Sequence, residues 1–68
     1  MSISLDVIRT NKRYRLTNNG DIIEFEVIDI IHDNDFIIKD IHLSETYHLS
    51  EFLQYGMGKD YNLEELEE

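Results

Sequence analysis

The chain has 68 residues, with 15 acidic and 6 basic side chains and a formal net charge of −9. It contains no cysteine, which excludes disulfide and thiolate chemistry, and its 41% content of hydrophobic residues indicates a globular chain. A single small domain over residues 1–68 is too short for a catalytic cleft between domains. The start of the sequence lacks a basic segment followed by an apolar one, so we expect a cytoplasmic domain without a membrane segment.

The first hairpin can be predicted residue by residue. Asn19-Gly20 is typical of a two-residue type I′ turn, which requires positive φ at both positions. This turn sets apolar side chains opposite one another on one face and opposite charges on the other. The apolar pairs are Tyr14 with Phe25 and Leu16 with Ile23, and the charged pairs are Arg13 with Glu26 and Arg15 with Glu24.

Aromatic residues recur every eleven positions, and an aliphatic residue follows each of them two positions later. The pairs are Tyr14 and Leu16, Phe25 and Val27, Phe36 and Ile38, and Tyr47 and Leu49. Short strands that alternate with tight turns and share one core produce this spacing. The sequence therefore predicts an all-β fold, a twisted antiparallel meander, and Ile3 and Leu5 extend the series backwards.

The later elements follow from local signals. The run 28–31 would bury Asp29 if alternation continued, so we expect a bulge or bend near Ile28. A turn at 32–35 precedes a strand at 36–40, and a turn at 41–45 precedes a strand at 46–49. Ser50 is the expected cap of one helical turn at 51–55, which Gly56 closes. A short strand at 60–63 ends the domain, and 64–68 form an acidic tail that is either a frayed helical turn or disordered.

This layout resembles the SH3-like small barrels, the group that includes the Tudor and KOW domains. The similarity covers about residues 12–63 and rests on the bent second strand, the tight hairpins and the helical turn before a closing strand. It implies that the meander closes as a small barrel and that the protein is a binding module rather than an enzyme. No functional residues are transferred from it.

Five isoleucines lie outside the eleven-residue series: Ile22, Ile28, Ile30, Ile37 and Ile41. Closure into a barrel would bury some of them on its second sheet, and this is the interpretation we favour. The alternative is an exposed patch that a partner or a second copy covers.

The partner-binding residues that we predict are two tyrosines beside a glycine-containing segment and three acidic residues in two loops. They are Tyr55, Tyr61, Asp33, Asp35 and Asp60. A rigid ring beside carboxylates suits a basic or extended peptide, so the predicted function is non-catalytic protein binding. The alternative is a structural role, in which both rings close one end of the barrel.

Two other functions compete with this one. Four basic residues near the start of the chain suit an RNA- or ribosome-associated barrel, and an exposed isoleucine edge suits a structural homo-oligomer. The basic residues are Arg9, Lys12, Arg13 and Arg15. Because residues 20–68 carry a net charge of −12, nucleic acid is the less favoured partner. We expect no enzyme activity, no cofactor and no metal site, since His32, His42 and His48 lack the spacing of metal ligands.

Overall fold

A computed structural model describes residues 3–32 and 35–66. Within these ranges the chain forms five strands, a 3-10 turn (Leu5–Val7) and a short helix, α1 (Leu49–Phe52). The strands are β1 (Arg13–Asn18), β2 (Asp21–His32), β3 (Asp35–Asp40), β4 (Thr46–His48) and β5 (Asn62–Glu65).

The strands form one antiparallel sheet in the order β4-β3-β2-β1-β5. This arrangement confirms the all-β class and the meander from β1 to β4. In the described residues no ladder joins β4 to β5, so the sheet is open and its closure into a barrel stays a prediction. No helix in the described ranges has the length and hydrophobicity needed to cross a bilayer.

The first hairpin has the predicted register. Tyr14 pairs with Phe25, and the turn residues Asn19 and Gly20 have φ values of 51° and 84°. The charged pairs form on the outer face, with 3.8 Å between Arg13 Nε and Glu26 Oε1. A slip by one residue would bury these charges, so the pattern of side chains fixes the register.

The core is built from the eleven-residue series. From Tyr14 to Leu49 each of its positions is buried except Tyr47; Tyr47 and the earlier members Ile3 and Leu5 are half-buried and pack against the others. The Tyr14 and Phe25 rings lie 5.9 Å apart. The buried hydrophobic residues are Ile8, Tyr14, Leu16, Ile23, Phe25, Val27, Phe36, Ile38, Leu49 and Leu63.

The ladder between β2 and β3 is irregular where a bulge was expected. Its register shifts between Val27 and Asp29 and again between Ile30 and His32. Among the off-series isoleucines, Ile22, Ile28 and Ile30 are 66%, 45% and 43% exposed, so the favoured burial does not extend to them. Ile37 and Ile41 are half-buried.

Several boundaries differ from the predicted ones; β4 ends at His48, α1 ends at Phe52, and β5 begins at Asn62. His32 and Asp35 pair as strand residues, so β2 and β3 each extend one residue into the predicted turn at 32–35. The helix begins at Leu49 with His48 as its N-cap, because the His48 N–H donates to Glu51 Oε2 (3.0 Å); the prediction of Ser50 as cap is therefore wrong. β5 extends to Glu65 because it pairs with β1 throughout, and the end of the predicted tail, 67–68, lies outside the described residues.

Candidate functional site

The turn of the first hairpin is bonded to the loop that precedes β5. The Asn19 N–H donates to Asp60 Oδ1 and the Gly20 N–H donates to Asp60 Oδ2, and each donor–acceptor distance is 2.7 Å. Asn18 Nδ2 donates to the Gly56 carbonyl (3.0 Å), and the Gly58 N–H donates to Asn18 Oδ1 (2.7 Å). Asn19 Nδ2 donates to the same Gly56 carbonyl (3.3 Å). We call the side chains of Asn18, Asn19 and Asp60 the turn clamp.

Asn18 is the centre of the turn clamp. Its side chain is 2% exposed, and no buried side-chain nitrogen or oxygen lacks a partner within the described residues. Buried polar groups that are fully bonded favour one arrangement of the chain over others. The segment between Tyr55 and Tyr61, which its glycines predict to be flexible, is therefore tied to the sheet at several points.

Asp60 is exposed and supports this loop, since each of its carboxylate oxygens accepts one backbone N–H. The N–H of Gly20, and then that of Asn19, lowers the pKa of Asp60 because both bonds favour the ionised form. Gly56 takes a φ of 84° and its N–H donates to the Leu53 carbonyl (2.9 Å), but α1 ends at Phe52 with Leu53 as C-cap, so Gly56 does not close the helix as predicted.

The loop presents aromatic and apolar side chains beside an open groove. Tyr55 is 87% exposed and Met57 is 58% exposed, whereas Tyr61 is half-buried and burial raises its pKa. The groove has a volume of about 480 Å³ and lies between this loop and the 3-10 turn. Its lining residues are Ile3, Ser4, Leu5, Asp6, Met57 and Tyr61.

The structure therefore brings one of the two predicted tyrosines to the groove. Tyr61 lines it, and Tyr55 lies outside its lining, two residues from Met57. Asp6 and Met57 are additions that the sequence alone did not suggest. The only signal for the segment around Asp6 was the place of Ile3 and Leu5 in the core series, and Ile3 N–H indeed donates to the Leu63 carbonyl (2.8 Å).

Of the acidic residues predicted at positions 33 and 35, Asp35 does not line this groove. Asp33 lies outside the described residues. Asp35 is bonded to His48, with 2.9 Å between Oδ2 and Nδ1, and this bond lowers the pKa of Asp35. Asp35 thus links β3 to the start of α1.

Two of the four predicted basic residues are held by carboxylates. Arg15 Nη2 lies 2.8 Å from Glu24, and Arg15 Nη1 lies 3.7 Å from Glu64. Arg13 faces Glu26, as described above. Arg9 and Lys12 are exposed, and the Arg9 N–H donates to the hydroxyl of the buried Tyr14 (3.0 Å). This geometry favours a structural role for Arg13 and Arg15.

The histidines described with their side chains also take structural partners. His42 Nε2 lies 2.6 Å from Glu24 Oε1, and this bond, followed by that of Arg15, lowers the pKa of Glu24. In the described residues no three His, Cys, Asp or Glu side chains come together as metal ligands do. The His32 side chain lies outside the described part of the chain.

Comparison with known proteins gives no relative: no family model, curated protein or solved structure matches this chain. The function is therefore argued from the geometry of the groove.

Proposed function

We propose that this protein is a non-catalytic binding module that recognises an extended protein segment with basic side chains. The segment would bind in the groove between the 3-10 turn and the loop that carries Met57 and Tyr61. One observation carries the proposal: a loop with exposed aromatic and thioether side chains is tied to the sheet by the turn clamp beside an open groove. A binding surface on a fixed loop loses less conformational entropy when it binds.

The chemistry of the lining suits such a segment. The Tyr61 ring and the Met57 thioether offer apolar and polarisable contacts, and Asp6 offers a carboxylate for a Lys or Arg side chain. The exposed Tyr55 extends the aromatic surface next to the groove. Asp60 contributes indirectly, because it holds the loop.

The overall charge supports a basic ligand. Residues 20–68 have a net charge of −12, and the cations Arg13 and Arg15 are paired with carboxylates. A strongly negative domain attracts cationic segments and raises their association rate at low salt. The same field opposes the approach of a phosphate backbone.

The layout of the chain adds support from analogy. A long irregular β2, and a helical turn between β4 and β5, are features that the resemblance to SH3-like barrels implies. Closure of this sheet into such a barrel is part of the proposal. The analogy favours a binding module but supplies no ligand.

Fluorescence anisotropy with a labelled oligolysine peptide tests the proposal. We expect binding that weakens with salt, and Tyr61→Ala should weaken it about two- to tenfold because a cation–ring contact is lost. Asp6→Asn should weaken it as well. Glu45→Gln is the matched control, since it removes the same charge from an exposed turn away from the groove lining.

Three outcomes would contradict the proposal. Equal losses in Asp6→Asn and Glu45→Gln would mean that the peptide responds only to net charge. Unchanged binding in Tyr61→Ala and Tyr55→Ala would remove the aromatic site. Tighter binding of labelled oligouridylate than of oligolysine, lost when Arg9 and Lys12 are replaced by Gln, would support the RNA-associated alternative.

A further inference from the structure

The turn of the first hairpin contains a pair of residues that can react with each other. In Asn19-Gly20 the Gly20 nitrogen can attack Cγ of the Asn19 side chain, because glycine has no Cβ to hinder the approach. Every other asparagine of the chain is followed by a residue with a side chain. Both residues of the turn are exposed, so water and base reach them.

The reaction is a ring closure that releases ammonia. A base removes the proton of the Gly20 N–H, and the nitrogen forms a bond with Asn19 Cγ. The bond between Cγ and Nδ2 then breaks, and Nδ2 takes up a proton and leaves as ammonia. Water opens the resulting cyclic imide at either of its carbonyl carbons. Opening at Cγ gives aspartate, and opening at the main-chain carbon gives isoaspartate, so no oxidant or reductant is needed.

The turn clamp engages both reacting groups. The Gly20 N–H donates to Asp60 Oδ2 (2.7 Å), and the negative charge of this carboxylate opposes removal of the proton. Asn19 Nδ2 donates to the Gly56 carbonyl (3.3 Å), so the side-chain amide is bonded to the loop before β5. Ring closure therefore requires the Gly20 N–H to leave Asp60 and the Asn19 amide to leave Gly56.

Asn18 holds the part of the loop to which Asn19 bonds. Its buried side chain donates to the Gly56 carbonyl (3.0 Å) and accepts from the Gly58 N–H (2.7 Å). An opening that frees the turn breaks several of these bonds together, and the free energy of that opening fixes how often it occurs. The rate of ring closure is then the rate in an open turn multiplied by the fraction of molecules in which the clamp is open.

We infer that Asn19 is a deamidation site and that the turn clamp sets the rate of its modification. The inference goes beyond the proposed peptide site and does not depend on it. Asparagine side chains are among the thermally labile groups of proteins, and here the bonds that hold the loop also protect the amide.

Deamidation in turn releases the loop. The aspartate product has no Nδ2 donor for the Gly56 carbonyl, and its carboxylate lies near that of Asp60. A Cβ placed on Gly58 would come within 3.0 Å of both Asn19 Oδ1 and Asp60 Oδ1, which shows how close the two charges would be. The isoaspartate product adds a carbon to the main chain of a two-residue turn, whose geometry sets the hairpin register.

Peptide mass spectrometry of the full chain, incubated in mildly alkaline buffer and then digested, tests the inference by the exchange of NH for O at Asn19. We expect the folded chain to react at least about tenfold more slowly than the same chain unfolded in urea. Asp60→Asn and Asn18→Ala should each accelerate the reaction of the folded chain about three- to thirtyfold, because each removes a hydrogen bond of the clamp.

Glu45→Gln is the matched control for Asp60→Asn. It removes the same charge from an exposed residue outside the clamp and should react at the rate of the wild type. Circular dichroism checks that each variant is folded, and the exposed position of Asp60 keeps the test valid if the buried Asn18→Ala substitution unfolds the chain.

Asn19→Asp reproduces the aspartate product and tests the release of the loop. Amide exchange at Gly58 should be faster in this variant than in the wild type, with the β1–β2 hairpin still protected. Three results would overturn the inference: a folded chain that reacts as fast as the unfolded chain or faster, equal rates in Asp60→Asn and Glu45→Gln, or wild-type exchange at Gly58 in Asn19→Asp.

Discussion

The two halves of β2 differ in their strand pairing and in the burial of their side chains. In the first half, residues 21–26, Ile23 and Phe25 are buried while Glu24 and Glu26 point outward. β1 lies on one side, and the end of β3 with the residue after it lies on the other. In residues 28–32, which we call distal β2, one ladder remains within the described part of the chain, its register shifts twice, and three isoleucines are 40–45% exposed. Alternation of buried and exposed residues holds where neighbours on both sides fix the register.

This difference shows that a hydrophobic residue in a strand can belong either to the core or to an exposed surface, depending on its position. Ile23 and Ile30 are the same residue type in one strand, yet Ile23 is 5% exposed and Ile30 is 43% exposed. The first stabilises the fold, and the second is available to a partner. The predictions below test this division, from the largest effect on stability to the smallest.

Replacing Ile23 and Ile30 by alanine should lower the free energy of unfolding by unequal amounts. Ile23→Ala should lower the free energy of unfolding by about 2–5 kcal/mol, since it leaves a cavity in the core. Ile30→Ala should cost about 1 kcal/mol or less because much of its side chain is already in water. Urea unfolding at low protein concentration measures both, and equal losses would refute the division.

The turn clamp should stabilise the first half through its buried amide. Asn18→Ala leaves the Gly58 N–H without its acceptor and takes one donor from the Gly56 carbonyl, which should cost about 1–3 kcal/mol. Thermal unfolding measures the loss. Faster amide exchange at Gly58, with the β1–β2 hairpin still protected, would show that the loop is released selectively; unchanged exchange would contradict the clamp.

Acid should weaken the same clamp. The pKa of Asp60 is lowered in the folded protein by the N–H groups of Gly20 and Asn19. Its contribution is therefore present above the unfolded pKa of about 4 and is lost as the pH falls through the folded pKa. Unfolding measured from pH 7 to pH 2 should show a smaller difference between the wild type and Asp60→Asn at low pH; a constant difference would contradict this role.

The exposed ion pairs on the outer face should contribute least to the stability of the fold. Arg13→Gln removes a contact of 3.8 Å to Glu26 between two partly exposed side chains. The free energy of unfolding should change by about 0.5 kcal/mol or less, because solvent screens such pairs. A loss comparable to that of Ile23→Ala would mean that the outer face, and not the core, dominates the hairpin.

Much of the fold could be predicted because its signals are local or periodic. Asn19-Gly20 fixed one hairpin in full, and the eleven-residue series identified the residues that meet in the core. Whether Ile28 and Ile30 are buried could not be predicted, because their burial depends on whether another part of the chain covers β2. The start of α1 was also missed, since the cap depends on a bond between His48 and Glu51.

The candidate site was predicted only in part. Tyr61 lines the groove as a half-buried ring, but Asp60 proved to be a support for the loop, because its bonds join residues 40 positions apart in the chain. Asp6 and Met57 meet across the same groove from opposite ends of the sequence. No local pattern brings such residues together, so only the structure could show them.

The central claim, that basic segments bind beside the clamped loop, is tested most directly by amide chemical shifts during titration with oligolysine. We predict that the shifts concentrate at Asp6, Met57 and Tyr61, and that Asn18→Ala reduces them because the loop loses its two hydrogen bonds to the Asn18 amide. Shifts spread along the outer face at Glu24 and Glu26, or centred on distal β2, would contradict the account.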